Sequence, residues 1–309
     1  MTAALQVSDL HVRYGAVHAV RGVSLTVEPG EVYALLGHNG AGKTSTVEVL
    51  EGHRRAASGE VRVLDHDPAL GARALRDRVG IVLQASSVER ALTVAEAVQF
   101  YGGVYSRPRP VGEVLELVGL GDRANARIST LSGGQQRRLD LGLGIVGSPD
   151  LLFLDEPTTG FDPAARRQAW ELIRTLCADG LTVLLTTHYM DEAEQLAGRV
   201  GVMAAGQLVA EGTPDELRAR VPEATISFLA PSGVALAELD VPATAVVAPD
   251  GTVTIDTAEP TRVLAAVTSA AAGRAIELER LSVRRPTLED VFLHLGGEAA
   301  TGWSAGDDA

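Results

Sequence analysis

Residues 37–44 read GHNGAGKT, a loop of the form G-x-x-x-x-G-K-[ST] between an apolar run, EVYALLG, and a helical one, KTSTVEVLEG. Such a loop binds phosphate because its glycines let successive backbone amides turn inward on one anion, and the helix start adds its own. The amides of Gly37, His38, Asn39, Gly40, Ala41 and Gly42 are thereby placed to wrap the α- and β-phosphates of a nucleoside triphosphate, with Ser45 continuing the helix start. Lys43 would bridge the β- and γ-phosphate oxygens, and the Thr44 hydroxyl would ligate Mg²⁺. Lys43 is also the only lysine among the 27 lysine and arginine residues of the chain. A slender ammonium fits among phosphate oxygens inside a tight loop, where arginine's planar fork would not.

Other positions have the types and spacing to work on that phosphate. LLFLDEPTTG (151–160) ends an apolar run in two carboxylates. Asp155 suits Mg²⁺, held through metal-bound water. Glu156 is expected to point elsewhere, because strand side chains alternate, and suits a general base for an attacking water. His188 closes TVLLTTH and Gln84 closes IVLQ, each at the carboxyl end of an expected core strand, where doubly wound sheets bind ligands. From there Gln84 is placed to reach the metal or the lytic water. Tyr14, in VRYGAVHAV, offers an aromatic face to an adenine. A second glycine-rich helix start, LSGGQQRRLDLG (131–142), poses a puzzle: Ser132, Gly133 and Gly134 present amides to an anion that the first loop already encloses.

Periodicity supplies the elements that must hold these residues. Residues 5–36 alternate as strands with turns at Tyr14-Gly15 and Pro29-Gly30. Apolar strands at 79–84, 151–156 and 182–188 alternate with helices, which predicts a largely parallel sheet covered on both faces, with a separate antiparallel layer beside it. Residues 93–120 read as helical apart from the SRPRP break at 106–110. PAARRQAWELIRTLCADG reads as an amphipathic helix, with Cys177 as a buried core thiol. After residue 220 the texture changes to a small α+β unit over 221–297, and the tail 298–309 reads as disordered and acidic.

Composition narrows the function classes. The net charge of −13 disfavours a nucleic-acid partner, which needs basic surface to displace counterions. Apolar runs around 139–146 and 229–249 are broken by charges and prolines, so no membrane span is expected. Neither is a signal peptide or an intrachain disulfide, and together these point to the cytoplasm.

GHNGAGKT, Gln84, LSGGQ, LLFLDEP and His188, in that order, resemble the nucleotide-binding domain of ABC transporters, and LSGGQ after such a loop is specific to that superfamily. The resemblance covers roughly residues 5–220. It implies a P-loop NTPase cassette of the α/β class, spanning 1–220, with a helical subdomain at about 85–147. It assigns Tyr14 to adenine stacking, residues 37–45 to the Walker A loop and Gln84 to the Q-loop. Ser132, Gly133, Gly134 and Gln135 match the signature, Asp155 and Glu156 the Walker B pair, and His188 the switch histidine. TTGFDP resembles the D-loop, with Phe161 where leucine is more usual and Asp162 keeping the polar position. The ending PTLEDVFLHLGG resembles ATPase subunits of type-2 exporters of the daunorubicin-resistance kind. That implies ATP and Mg²⁺, a separate membrane permease on whose cytoplasmic side the chain sits, export of a drug-like molecule, and a homodimer. In that dimer the signature of one copy grips the γ-phosphate on the Lys43 of the other, which answers the puzzle of the second helix start.

Rival readings lose particular features. ABC-type ATPases acting on DNA or ribosomes separate the two motifs by long coiled coils or zinc inserts, or pair two cassettes in one chain. Here about 90 residues separate them, without heptads or CxxC pairs, and there is one cassette. An importer ATPase, or an exporter of polysaccharide, lipid or sodium, keeps the chemistry and changes the cargo.

Overall fold

The computed structural model describes residues 2–83, 88–220, 224–231 and 233–292. These fall into two units that part between Pro214 and Asp215.

In the first unit, β1 (Leu5–Tyr14) and β2 (Val17–Val27) form an antiparallel hairpin. Strict alternation would expose Leu10 and Val12, given that Leu5 and Val7 are buried. A bulge between Val7 and Leu10, with Asp9 at a φ of 49°, resets the phase so that all four face the core. β3 (Val32–Leu36) then feeds the glycine loop and α1 (Lys43–Leu50). β4 (Ser58–Val63) returns to pair with β1, completing a three-stranded layer.

The short α2 (Arg73–Arg76) leads to β5 (Val79–Val82). Three helices follow: α3 (Val94–Gly102), α4 (Val111–Leu117) and α5 (Gly133–Ile145). They share their own core of Val98, Val114, Val118, Ile128 and Leu139. β6 (Leu151–Asp155), α6 (Pro163–Ala178), β7 (Thr182–Thr187), α7 (Met190–Leu196), β8 (Arg199–Ala204) and β9 (Gln207–Gly212) complete the unit.

Strands β5-β6-β7-β3-β8-β9 make one sheet, parallel except for the β8–β9 hairpin. Its central strands β6 and β7 are buried along almost their whole length, with apolar centres, because helices and the first layer cover both faces. α1 is wedged between the layers: Val47, Val49 and Leu50 share a core with Leu5, Leu25, Phe153 and Leu184. α5 lies close on the sheet because glycines meet there. A Cβ on Gly80 of β5 would collide with the Gly144 carbonyl of α5. Cys177 is half-buried rather than fully enclosed, since it follows the buried Leu176 toward the open end of α6; burial still pushes its thiol up to about 11.

The helix α8 (Pro214–Arg218) spans the join between the units. The second unit carries β10 (Ala224–Leu229), β11 (Val246–Val247), β12 (Thr252–Thr257), α9 (Pro260–Gly273) and β13 (Ser282–Arg284). The sheet order β11-β12-β10-β13 is antiparallel throughout. Ile226, Phe228, Val253 and Ile255 alternate inward against Val263, Val267 and Ala271 of α9. Of the stretch IELERLSV only the end is strand, because Ala275 and Arg280 take positive φ and break the run. The terminal helix begins within 288–292, and the tail expected to be disordered lies outside the described residues.

Candidate functional site

Sheet register brings the candidate residues to one level. Leu36, the last residue of β3, lies opposite Thr187 of β7, while Asp155, the last of β6, lies opposite Thr186. The glycine loop, the Asp155–Glu156 pair and His188 therefore leave three adjacent strands side by side.

The loop closes around its lysine. Lys43 Nζ donates to the carbonyls of Gly37 (2.6 Å) and His38 (3.1 Å), and the residue is 5 % exposed. Burial lowers the Lys43 pKa, and the nearby charges of Glu156 and Asp155 oppose that shift. The Gly37 amide bonds to the Thr187 carbonyl, anchoring the loop to β7. Gly42 begins α1 at a φ of 103°, and a Cβ there would lie 2.7 Å from the Ala19 carbonyl, so glycine is required on two counts. His38, Asn39, Gly40 and Thr44 are exposed, and Ala41 is buried.

Strand alternation does not aim Glu156, contrary to the sequence expectation. β6 stops at Asp155, and Glu156 adopts a left-handed φ of 45°. That conformation is costly for a residue with a Cβ, and here it is held from several sides. The Glu156 amide donates to the Thr186 carbonyl (3.1 Å), and Thr159 Oγ1 donates to Glu156 Oε2 (3.1 Å). Glu156 Oε1 lies 3.0 Å from Nδ1 of His188, whose ring packs 4.1 Å from that of Tyr189. Asp155 Oδ1 accepts from Thr186 Oγ1.

Tyr14 reaches the flank of α1: its hydroxyl lies 3.0 Å from Ser45 Oγ and donates to Glu48 (3.1 Å). One ring face is already covered by the Arg54 guanidinium at 4.2 Å, so at most the other remains for an adenine. Gln84 lies outside the described residues.

The cleft at the signature is lined by no residue of the glycine loop. Ser132 caps α5 by accepting from the Gln135 amide, and the Gln135 side chain accepts from the Ser132 amide. Gln135 is thus occupied in the cap, while the amides of Gly133 and Gly134 lie at the open start of the helix. This start borders a cleft of about 360 Å³ shared with Thr159, Gly160 and Phe161. Asp162 also spends its carboxylate on a cap, accepting from the amides of Ala164 and Ala165 at 2.9 Å.

Sequence reading missed three supports. Thr186, inside an apolar strand, binds both members of the acidic pair. Glu192 is fully buried and accepts from Thr158 and Trp170, fastening α7 to the segment after Glu156. Arg137, 7 % exposed, donates to the carbonyls of Leu83, Asp155, Glu156 and Pro157. Its only signal is an arginine on a helix whose neighbours Leu139 and Leu141 face inward.

The ABC transporter family matches residues 20–159, and the C-terminal domain of ABC transporter domain-containing protein-like chains matches residues 224–287. A daunorubicin resistance ATP-binding protein of Streptomyces coeruleorubidus is 37% identical over 305 residues, covering 96% of each chain. The linearmycin resistance ATP-binding protein of Bacillus subtilis is 34% identical, covering 95% of this chain and 98% of its own. Among solved structures, cbiO1 from Clostridium perfringens, part of the ABC transporter complex cbiONQ, superposes with a TM-score of 0.64 at 29% identity. That match covers 71% of this chain and 92% of the other.

Proposed function

Because this chain belongs to the ATP-binding proteins of ABC transporters, which hydrolyse ATP, we propose that Glu156 and His188 carry out that hydrolysis. The observation that carries the proposal is the 3.0 Å approach of His188 to Glu156 beside the Lys43 loop. Glu156 accepts a proton from the attacking water, His188 holds that carboxylate and the γ-phosphate in register, and Gln84 completes the water's surroundings. Lys43 exchanges its two loop carbonyls for β- and γ-phosphate oxygens, and Tyr14 lends its free face to the adenine.

Thr44 and Asp155 supply oxygen donors of the kind Mg²⁺ takes. Among the described residues no cluster of three His, Cys, Asp or Glu side chains could hold a metal alone, so a metal held jointly with phosphates fits the donor set. When bound, Mg²⁺ neutralises charge developing on the phosphoryl oxygens.

Two copies close face to face, each signature gripping the nucleotide on its partner's Walker A loop. That no glycine-loop residue lines the cleft at Gly133 and Gly134 supports this. Cargo crosses through a separate permease, a reading supported by relatives described as ATP-binding proteins; among the described residues no helix is long and apolar enough to span a membrane. The chain then sits on the membrane's cytoplasmic side through that permease. Resistance roles in the relatives' names support a drug-like cargo moved outward.

Glu156→Gln tests the centre of the reading. ATP turnover is expected to fall about 10²–10³-fold with nucleotide affinity retained. Undiminished turnover would remove Glu156 as the base.

A further inference from the structure

Arg137 lies about one turn into α5, about 7.5 Å along the axis from its cap Ser132. A buried guanidinium is costly unless its donors are satisfied. Here they are spent almost wholly on main chain. Nε donates to the Pro157 carbonyl (3.0 Å), Nη2 to those of Asp155 (3.2 Å) and Glu156 (3.3 Å), and Nη1 to that of Leu83. Asp140, one turn further along α5, lies 3.7 Å from Nη1 and supplies a counter-charge.

Carbonyls of successive strand residues point to opposite edges, so three in a row cannot meet one side chain in an extended strand. They converge on Arg137 because Glu156 turns left-handed between Asp155 and Pro157. The guanidinium and the unusual backbone of Glu156 thus depend on each other. The fourth acceptor, Leu83, immediately precedes Gln84. One side chain therefore ties the signature helix to the main chain that carries Glu156 and to the residue leading into Gln84.

We infer that Arg137 is a positioning residue for ATP hydrolysis: it holds the turn that aims Glu156 and links the start of α5 to it. This rests on the assignment of Glu156 as base. An arginine serving only to fill the space under α5 would be replaceable at a cost in stability alone. One that aims Glu156 must affect the chemical step while leaving ATP binding in place.

The test uses the full chain with Arg137→Lys, Arg137→Ala and, as reference, Glu156→Gln. Three quantities are read: steady-state ATPase kinetics, equilibrium binding of a fluorescent ATP analogue, and the thermal midpoint. Lysine keeps the charge but cannot reach several diverging carbonyls, so both Arg137 variants are expected to lose at least about tenfold in kcat. Analogue affinity and KM should stay within about threefold. Guanidinium ion at low millimolar concentration should restore part of the Arg137→Ala rate and leave the wild type unchanged.

An unchanged kcat in both variants overturns the inference. So does a joint loss of affinity, rate and thermal midpoint without guanidinium rescue, and so does failure of both variants to fold, since each marks a structural arginine. If Glu156→Gln turns ATP over normally, the base assignment falls and this inference with it. If Glu156→Gln is inactive beside fully active Arg137 variants, this inference alone fails.

Discussion

Glu51, at the C-terminal cap of α1, has a side chain only 4 % exposed. Burial, then the charges of Asp155 and Glu48, pushes its carboxyl up to about 8. Because the folded chain binds this proton more tightly than the unfolded one, stability is fullest below the ordinary carboxylate range and falls as pH rises toward about 8. Glu51→Gln should remove that slope, raising stability by about 1–3 kcal/mol above pH 8 and leaving it unchanged near pH 4, as measured by denaturant titration across pH. His53 Nδ1 lies 3.1 Å from the Glu51 carboxylate on a side chain that is more than half exposed. Residues whose type suggests a chemistry, such as Lys43, Asp155 and His188, could be picked out from the sequence, and they are neighbours at the ends of adjacent strands. Arg137, Glu192 and Glu51 could not be, because a charged residue on an amphipathic helix reads as solvated until the packing around it is known. For Glu156 it was the cause of its direction that sequence could not supply: alternation holds only while the strand lasts, and β6 ends one residue earlier.

At the level of elements, the order of strands and helices followed from apolar periodicity, while phase changes did not. The bulge at Asp9 and the positive φ values at Ala275 and Arg280 lack the glycine that would mark them. Two glycine helix starts also look alike in sequence and differ physically. Gly42 is left-handed with a carbonyl 2.7 Å from where a Cβ would sit, whereas nothing lies within 4 Å of a Cβ on Gly133. Gly42→Ala is therefore expected to destabilise the fold by about 1–3 kcal/mol and weaken nucleotide binding. Gly133→Ala should leave the thermal midpoint unchanged or slightly raised. Thermal melts and nucleotide titrations of the two variants check this contrast.

For the whole molecule, the placement of the signature start on a cleft that no residue of its own glycine loop lines makes one chain an incomplete site in the proposed reading. Sedimentation of Glu156→Gln protein should show monomer without ATP and dimer with it, because blocked turnover preserves the closed pair. A monomer that demonstrably holds ATP would overturn the sandwich. The burial of Lys43 has a practical corollary. Arginine supplies the rest of the 27 lysine and arginine side chains, so the molecule has a single side-chain amine, and its own loop carbonyls hold it. Among side chains, a reagent that acylates amines can modify Lys43 alone. A side-chain label of that kind lands on the glycine loop, where the mass of one peptide reports whether Lys43 was accessible or enclosed.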